Sequence, residues 1–303
     1  MQRLQGVIAP ILTPFEADGS IASDIWVAHA KWVLDQGAHF LSPFGTTGEA
    51  LSVSSQARMA ALELLVAMGI SPAVLMPGTG LTSLAETVSL TRHAVQLGVK
   101  TVMVLPSFFF KDAVEDGHFR YYSTLLEQVG CNDLRICLYN IPQNSGVAIS
   151  PALAARLNQA YPDNITAYKD STGNWQNTKA VIDAAPGISV FPGTEGLLAK
   201  ALDNGGAGCI SATLNLNAAA IRAIYDGKRA GDQMREQDIQ ANQFRAIVQA
   251  AGLVPALKSI LAVTYSDSRW LNLCPPLLNA DLTVGENLLK ELGDMAFHIK
   301  KPT

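Results

Sequence analysis

The stretch 84–105, LAETVSLTRHAVQLGVKTVMVL, contains one complete helix-to-strand unit. Apolar residues recur at helical spacing through LAETVSLTRHAVQLG, which ends at Gly98, the residue type that most easily takes the left-handed position closing a helix. The apolar run TVMVL follows at 101–105 and reads as a short strand. The same alternation extends in both directions. Apolar runs lie near 7–9, 40–43, 73–76, 101–105, 135–139, 165–168, 188–191 and 209–212, with helical stretches such as SSQARMAALELLVAM between them. Strands joined by crossover helices make a parallel sheet, and an eightfold count predicts an α/β fold of the closed (β/α)8 or TIM-barrel kind, rather than an open doubly wound sheet.

Beyond Tyr225 the strand runs stop, and helical stretches such as REQDIQANQFRAIVQA and GENLLKELGDMAFHI take over. The expected organisation is a catalytic barrel over 1–226 and a helical extension over 227–303. No Pro/Ser-rich linker separates them, so the extension is expected to pack on the barrel.

Composition narrows the function classes. With 303 residues, 49% hydrophobic and 16% charged, the chain can bury a large core without a metal or disulfide staple. A formal net charge of -4 with scattered Lys and Arg offers no footprint for a nucleic acid or an anionic membrane. The amino-terminal MQRLQGVIAPILTPF is broken by Pro10 and Pro14 and lacks a cleavage site, which points to a cytoplasmic protein. Cys131, Cys137, Cys209 and Cys274 form no CxxC pair, and the five histidines form no HExxH. A metal site is therefore not expected, and most of the cysteines read as small buried apolar residues.

In an α/β barrel, chemistry is assembled at the carboxyl ends of the strands. Four segments fall there: GTTGE at Gly45 to Glu49, YNIPQNSG at Tyr139 to Gly146, YKDSTGN at Tyr168 to Asn174, and the end of GAGCIS at Gly206 to Ser211. Lys169 closes an apolar strand and faces the barrel mouth, where loss of water favours the neutral, nucleophilic amine a Schiff base requires. Taken by position alone, a strand-end lysine paired with Asp170 or solvated is the commoner arrangement. GTTGE presents hydroxyls and free backbone N–H groups suited to a carboxylate, although a structural glycine turn explains it equally well. Tyr139 is placed to move a proton, or to bind backbone as a half-buried phenol.

GTTGE, YNIPxxSG and the strand-terminal KDSTG, in this order, resemble the dihydrodipicolinate synthase and N-acetylneuraminate lyase superfamily of class I aldolases and lyases. The likeness runs from GVIAPILTPF through GxxGxIS to the PPLL segment at Pro275 to Leu278. It implies that Lys169 forms the imine with a pyruvate-like 2-keto acid, and that no cofactor is used. Thr46 and Thr47 match the threonines that bind the keto acid's carboxylate, Thr47 also joining a proton relay. Tyr139 matches the relay tyrosine, and Ile210 the position whose carbonyl lies beside the bound keto acid. The partners implied are the 2-keto acid, an aldehyde or its aldol adduct, and further copies of the chain in a homodimer or homotetramer.

Two positions depart from the pattern. Asn144 stands where dihydrodipicolinate-forming members carry an arginine for the aldehyde's carboxylate, and an amide cannot supply that charged fork. The expectation is therefore a 4-hydroxy-2-oxoglutarate-type or sugar-acid aldolase, with a keto-deoxy sugar acid dehydratase or a metabolite-binding member of little turnover as alternatives. In PSFFFKDAVEDG, where relatives read more like PPFYFKxxSDDG, Phe109 replaces a second relay tyrosine that reaches the neighbouring subunit's site. Phe108 to Phe110 read as core packing or a subunit interface rather than a substrate stack.

Overall fold

A computed structural model describes residues 3–294 together with Phe297 and Ile299. The remaining tail positions, at which part of the expected extension falls, lie outside the described residues. Among the described residues seven strands are formed: β1 Gly6–Ala9, β2 Phe40–Leu41, β3 Thr101–Val104, β4 Arg135–Asn140, β5 Ile165–Asp170, β6 Ser189–Pro192 and β7 Gly208–Ile210. They pair in parallel in the orders β2-β1-β7 and β3-β4-β5-β6.

Residues 75–79 supply the eighth wall and join the two sheets. Leu75 bridges Leu41 on one side, and Gly78 bridges Met103 on the other. This wall begins later than the 73–76 run, because Ser71 caps a single 3-10 turn over Pro72–Val74. Pro77 has no N–H to donate, which limits the ladder to isolated bridges. The opposite seam closes where Ala207 N donates to Val190 O at 2.9 Å and Gly6 N donates to Ala207 O at 2.9 Å. The barrel is thus complete, as the eightfold alternation predicts.

Side-chain parity along the strands decides what faces the axis. Ile8, Met76, Met103, Cys137, Tyr139, Ala167, Phe191 and Ile210 form one interior cluster. Val7, Ala9, Val102, Val104, Ile136, Leu138, Tyr168 and Val190 face outward into the layer beneath the helices. Lys169 shares its parity with Ala167, so the period of two sends it inward at the carboxyl end of β5. Three of the four cysteines, Cys137, Cys209 and Cys274, are buried, and all are free.

Eight helices follow the eight walls in turn, the first Ser23–Asp35 and the last Leu214–Ala230. Their starts are written locally: Ser54, Ser83 and Ser150 each accept a backbone N–H from the first turn. Gly98, with φ +89, ends the helix Leu84–Gln96 as its sequence requires. The last barrel helix continues past Asp226 to Ala230, so the switch to helices without strands falls at the next element, Arg235–Ala250. Leu253–Tyr265 and Leu282–Asp294 complete the tail, and their apolar faces meet in a second core with Leu12, Leu216 and Trp270. Among the described residues no single helix is long and apolar enough to cross a membrane.

Candidate active site

The strand ends bring Lys169, Tyr139 and Thr46 together, whereas Lys169, Thr47 and Ile210 do not line the cavity described below. Tyr139 and Lys169 are register partners on β4 and β5. The Lys169 Nζ lies 4.2 Å from the centre of the Tyr139 ring. The lysine is only 4% exposed, and among the described residues no carboxylate pairs with it. The common alternative of an Asp170 ion pair is therefore not what the structure forms. Asp170 instead accepts from Asn140 Nδ2 at 3.3 Å, Thr172 Oγ1 at 2.8 Å and Thr178 Oγ1 at 2.7 Å. These bonds fix the turn after β5 and leave the amine of Lys169 facing the barrel axis.

The hydroxyls of Tyr139 and Thr46 lie 2.9 Å apart, so the two motifs YNIP and GTTGE meet through one hydrogen bond. Thr47, the threonine expected in the relay, is buried at 8% exposure, and the hydroxyl that meets Tyr139 is that of Thr46 instead. Ile210 sits in the interior cluster with Tyr139 and pairs with Ile8. Asn144, on the short turn Pro142–Ser145, is exposed and lines a cavity of about 260 Å3 together with Thr46 and Tyr139.

The GTTGE loop takes its shape from strain and from clamps. Phe44 and Glu49, which bracket it, both have positive φ, 59° and 53°. L residues rarely adopt this region, so the surroundings must hold them there. Gly78 permits the first turn: a Cβ on it would meet Phe44 O at 2.1 Å. Thr13 Oγ1 donates to Gly48 O at 2.8 Å. Lys258, from the helix Leu253–Tyr265, donates to Glu49 Oε1 and, at 2.8 Å, to Asn272 O. Cys274 N donates to the other Glu49 oxygen at 2.9 Å. Both charged side chains are withdrawn from water, Lys258 at 0% and Glu49 at 2% exposure. Burial pulls the Lys258 amine below its ordinary value, and the Glu49 carboxylate opposes that pull.

A second buried network holds the end of β7. Glu195, fully buried, accepts from Ser211 Oγ and Thr213 Oγ1 and from Arg245 Nη1 at 3.2 Å. It anchors the residues directly after Ile210. Neither carboxylate network was expected from the sequence. The signal for the first was slight, an acidic residue ending a glycine turn, and Lys258 stands more than 200 positions away from it.

The loop after β3 divides its three phenylalanines. Phe108 lines the cavity, whereas Phe109 and Phe110 are 73% and 62% exposed and pack edge-on at 5.6 Å. Core packing of the whole triplet is therefore overturned. Lys111 then reaches back and donates to Ser145 O. Among the described residues no group of three or more His, Cys, Asp or Glu side chains is arranged to hold a metal ion.

The family model of the dihydrodipicolinate synthetase family matches residues 3–286. The chain belongs to that family. Among similar proteins is an uncharacterized DapA-like lyase of Chloroflexus aurantiacus, 33% identical over 87% of this chain and 88% of that protein. The 4-hydroxy-tetrahydrodipicolinate synthase of Rhizobium meliloti is 28% identical over 98% of this chain and 91% of its own. The crystal structure of dihydrodipicolinate synthase from Agrobacterium tumefaciens superposes with a TM-score of 0.87 at 30% identity, covering 95% and 98% of the two chains. The barrel of a Sulfolobus solfataricus 2-keto-3-deoxygluconate aldolase variant aligns with a TM-score of 0.83 at 20% identity, a likeness of fold alone. This member of the dihydrodipicolinate synthetase family thus has the architecture that its ordered motifs imply.

Proposed function

We propose that this family member is a Schiff-base lyase or aldolase that makes or breaks a carbon–carbon bond adjacent to pyruvate or a related 2-keto acid. The observation that carries the reading is a buried lysine at the carboxyl end of a barrel strand, without a carboxylate partner among the described residues and stacked on a tyrosine tied to the GTTGE loop. The amine of Lys169 attacks the keto carbon, water leaves, and the resulting imine accepts the electron pair released at the neighbouring carbon. Thr46 and Thr47 hold the carboxylate. Tyr139, hydrogen-bonded to Thr46, carries protons to and from the carbinolamine. The carbonyl of Ile210 borders the keto acid, and Asn144 stands at the partner's side of the site.

Asn144 supports a reaction other than dihydrodipicolinate formation; the sequence expectation of a 4-hydroxy-2-oxoglutarate-type or sugar-acid aldolase requires an anionic or hydroxylated partner, and the aldehyde panel described below decides between that and an apolar one. Phe109 favours a second reading, a member that binds its keto acid with little turnover, because the residue carries no hydroxyl for a relay. The exposed rings of Phe109 and Phe110 and the 71% exposure of Val114 support an assembly of identical subunits through this loop; sedimentation of the purified chain tests it. Borohydride reduction with pyruvate, followed by peptide mapping, tests the central proposal. Pyruvate carbon attached to Lys169, and lost in Lys169→Met, is the expected result; no adduct on Lys169 in the folded protein ends the Schiff-base reading.

A further inference from the structure

The cavity beside Tyr139 carries an inference about the second substrate, which rests on the Schiff-base reading above. Its walls are apolar over most of their surface: Phe44, Leu51, Leu105, Phe108, Ile141 and Leu277 surround the space. The polar side chains are fewer: the Thr46 and Tyr139 hydroxyls bind each other, and Asn144, Glu49, Ser52 and Ser145 complete the lining. Two of the other polar lining groups already have partners, and Ser52 is exposed to water. Ser145 Oγ donates to Val147 O at 2.7 Å, and the Glu49 carboxylate is held by Lys258 and Cys274 N.

Charge is the deciding property. Among the described residues that line the cavity none is Lys, Arg or His. Two amines lie close behind lining residues without joining the lining: Lys169, over the Tyr139 ring and committed to the imine, and Lys111, bound to the carbonyl of Ser145. With Thr46 and Thr47 engaged by the keto acid's carboxylate, a second carboxylate on the aldehyde would meet no cation in the lining, which is unfavourable. A polyhydroxylated aldehyde would bury hydroxyls that find few partners there. An alkyl or aryl group loses only unfavourable contact with water.

We infer that the aldehyde partner is uncharged and bears an apolar alkyl or aryl substituent, seated between Phe108 and Leu277. Its carbonyl oxygen faces the Thr46 and Tyr139 hydroxyls. In the forward direction the pyruvate imine on Lys169 loses a proton from its methyl carbon to give the enamine. That carbon bonds to the aldehyde carbon, and the carbonyl electron pair takes up a proton delivered through Tyr139. One water, equal to the water lost in forming the imine, then hydrolyses it and returns free Lys169 with a 4-hydroxy-2-keto acid carrying the apolar group.

The test uses the full chain with pyruvate and a panel of isobutyraldehyde, benzaldehyde, glyoxylate, succinic semialdehyde and glyceraldehyde, reading kcat/KM from the aldol product by mass spectrometry. Borohydride trapping with pyruvate alone is run first; failure to trap counts against the Schiff-base reading itself. With trapping in place, isobutyraldehyde or benzaldehyde is expected to exceed glyoxylate and glyceraldehyde by at least about tenfold, the scale on which hydrophobic pockets discriminate. Leu277→Lys, at a rim position that is 46% exposed, is expected to move the ratio about tenfold toward glyoxylate. Preference for a charged or hydroxylated aldehyde overturns the inference, and so does the absence of turnover with both neutral aldehydes. Preference for glyoxylate that disappears in Lys111→Met also overturns it and identifies Lys111 as the counter-charge.

Discussion

Replacing Lys258 by Met keeps a long apolar side chain in a fully buried site and removes the charge facing Glu49. Glu49 then retains one bond, from Cys274 N at 2.9 Å, and stands as a carboxylate at 2% exposure without a counter-ion. Breaking one partner of a buried pair costs about 3–5 kcal/mol. Against the roughly 5–15 kcal/mol that holds a domain together, this is a large share. Urea unfolding at pH 7 measures it as a lower midpoint with an unchanged slope. Adding Glu49→Gln removes the stranded charge while its amide oxygen still accepts from Cys274 N. An incompletely bonded amide costs about 1–3 kcal/mol, so the double variant is expected to regain about 2 kcal/mol. A loss below about 1 kcal/mol in the single variant, or no recovery in the double, refutes the claim that this pair clamps the loop. Because Glu49 ends GTTGE, the single variant is also expected to slow borohydride trapping of pyruvate.

Other expectations follow from equally local features. Burial holds His29 at about 4 instead of 6.5, so the unfolded chain takes up a proton that the fold refuses, and stability falls as pH drops through that window. Between pH 7 and 5 this amounts to about 2 kcal/mol, and His29→Gln should flatten the corresponding part of a urea-midpoint profile; an unchanged slope assigns the effect elsewhere. Tyr139→Phe removes the 2.9 Å bond to Thr46 and should lower kcat by about 10²- to 10⁴-fold in a pyruvate-release assay while Lys169 can still be trapped. Gly78→Ala drives a methyl onto the Phe44 carbonyl at 2.1 Å and should cost about 1–3 kcal/mol or more, seen as a lower Tm or loss of soluble protein. Phe109→Tyr, at an exposed position, should leave Tm within a degree or two; an increase in turnover would favour the reading in which the missing hydroxyl limits this chain.

The order of elements was legible because apolar runs and helical stretches alternate without interruption, and Gly98 punctuates its helix as its residue type dictates. The weakest wall, 75–79, was misplaced by about two residues because Pro72 and Pro77 break the periodicity on which strand reading depends. The meeting of Tyr139 and Lys169 was legible because both close strands that pair in register, and Thr46 reaches them from the loop that follows β2. The Glu49–Lys258 pair could not, since two single charged residues far apart in sequence carry no periodic signal. The same applies to Glu195 and Arg245, whose meeting depends on how the tail helices dock. Phe108, Phe109 and Phe110 show a different limit: three identical residues in a row point to separate destinations, one into the cavity and two to solvent, and only the backbone of the loop decides which.

The GTTGE loop is gripped from both directions of the chain, by Thr13 near its beginning and by Lys258 and Cys274 toward its end. A nascent chain emerging from the ribosome therefore has every wall of its barrel synthesised by Ile210 while the carboxylate cradle still lacks its lock. If the proposed chemistry holds, readiness arrives only when the tail helices are made, and fragments that stop after the last strand are expected to lack it.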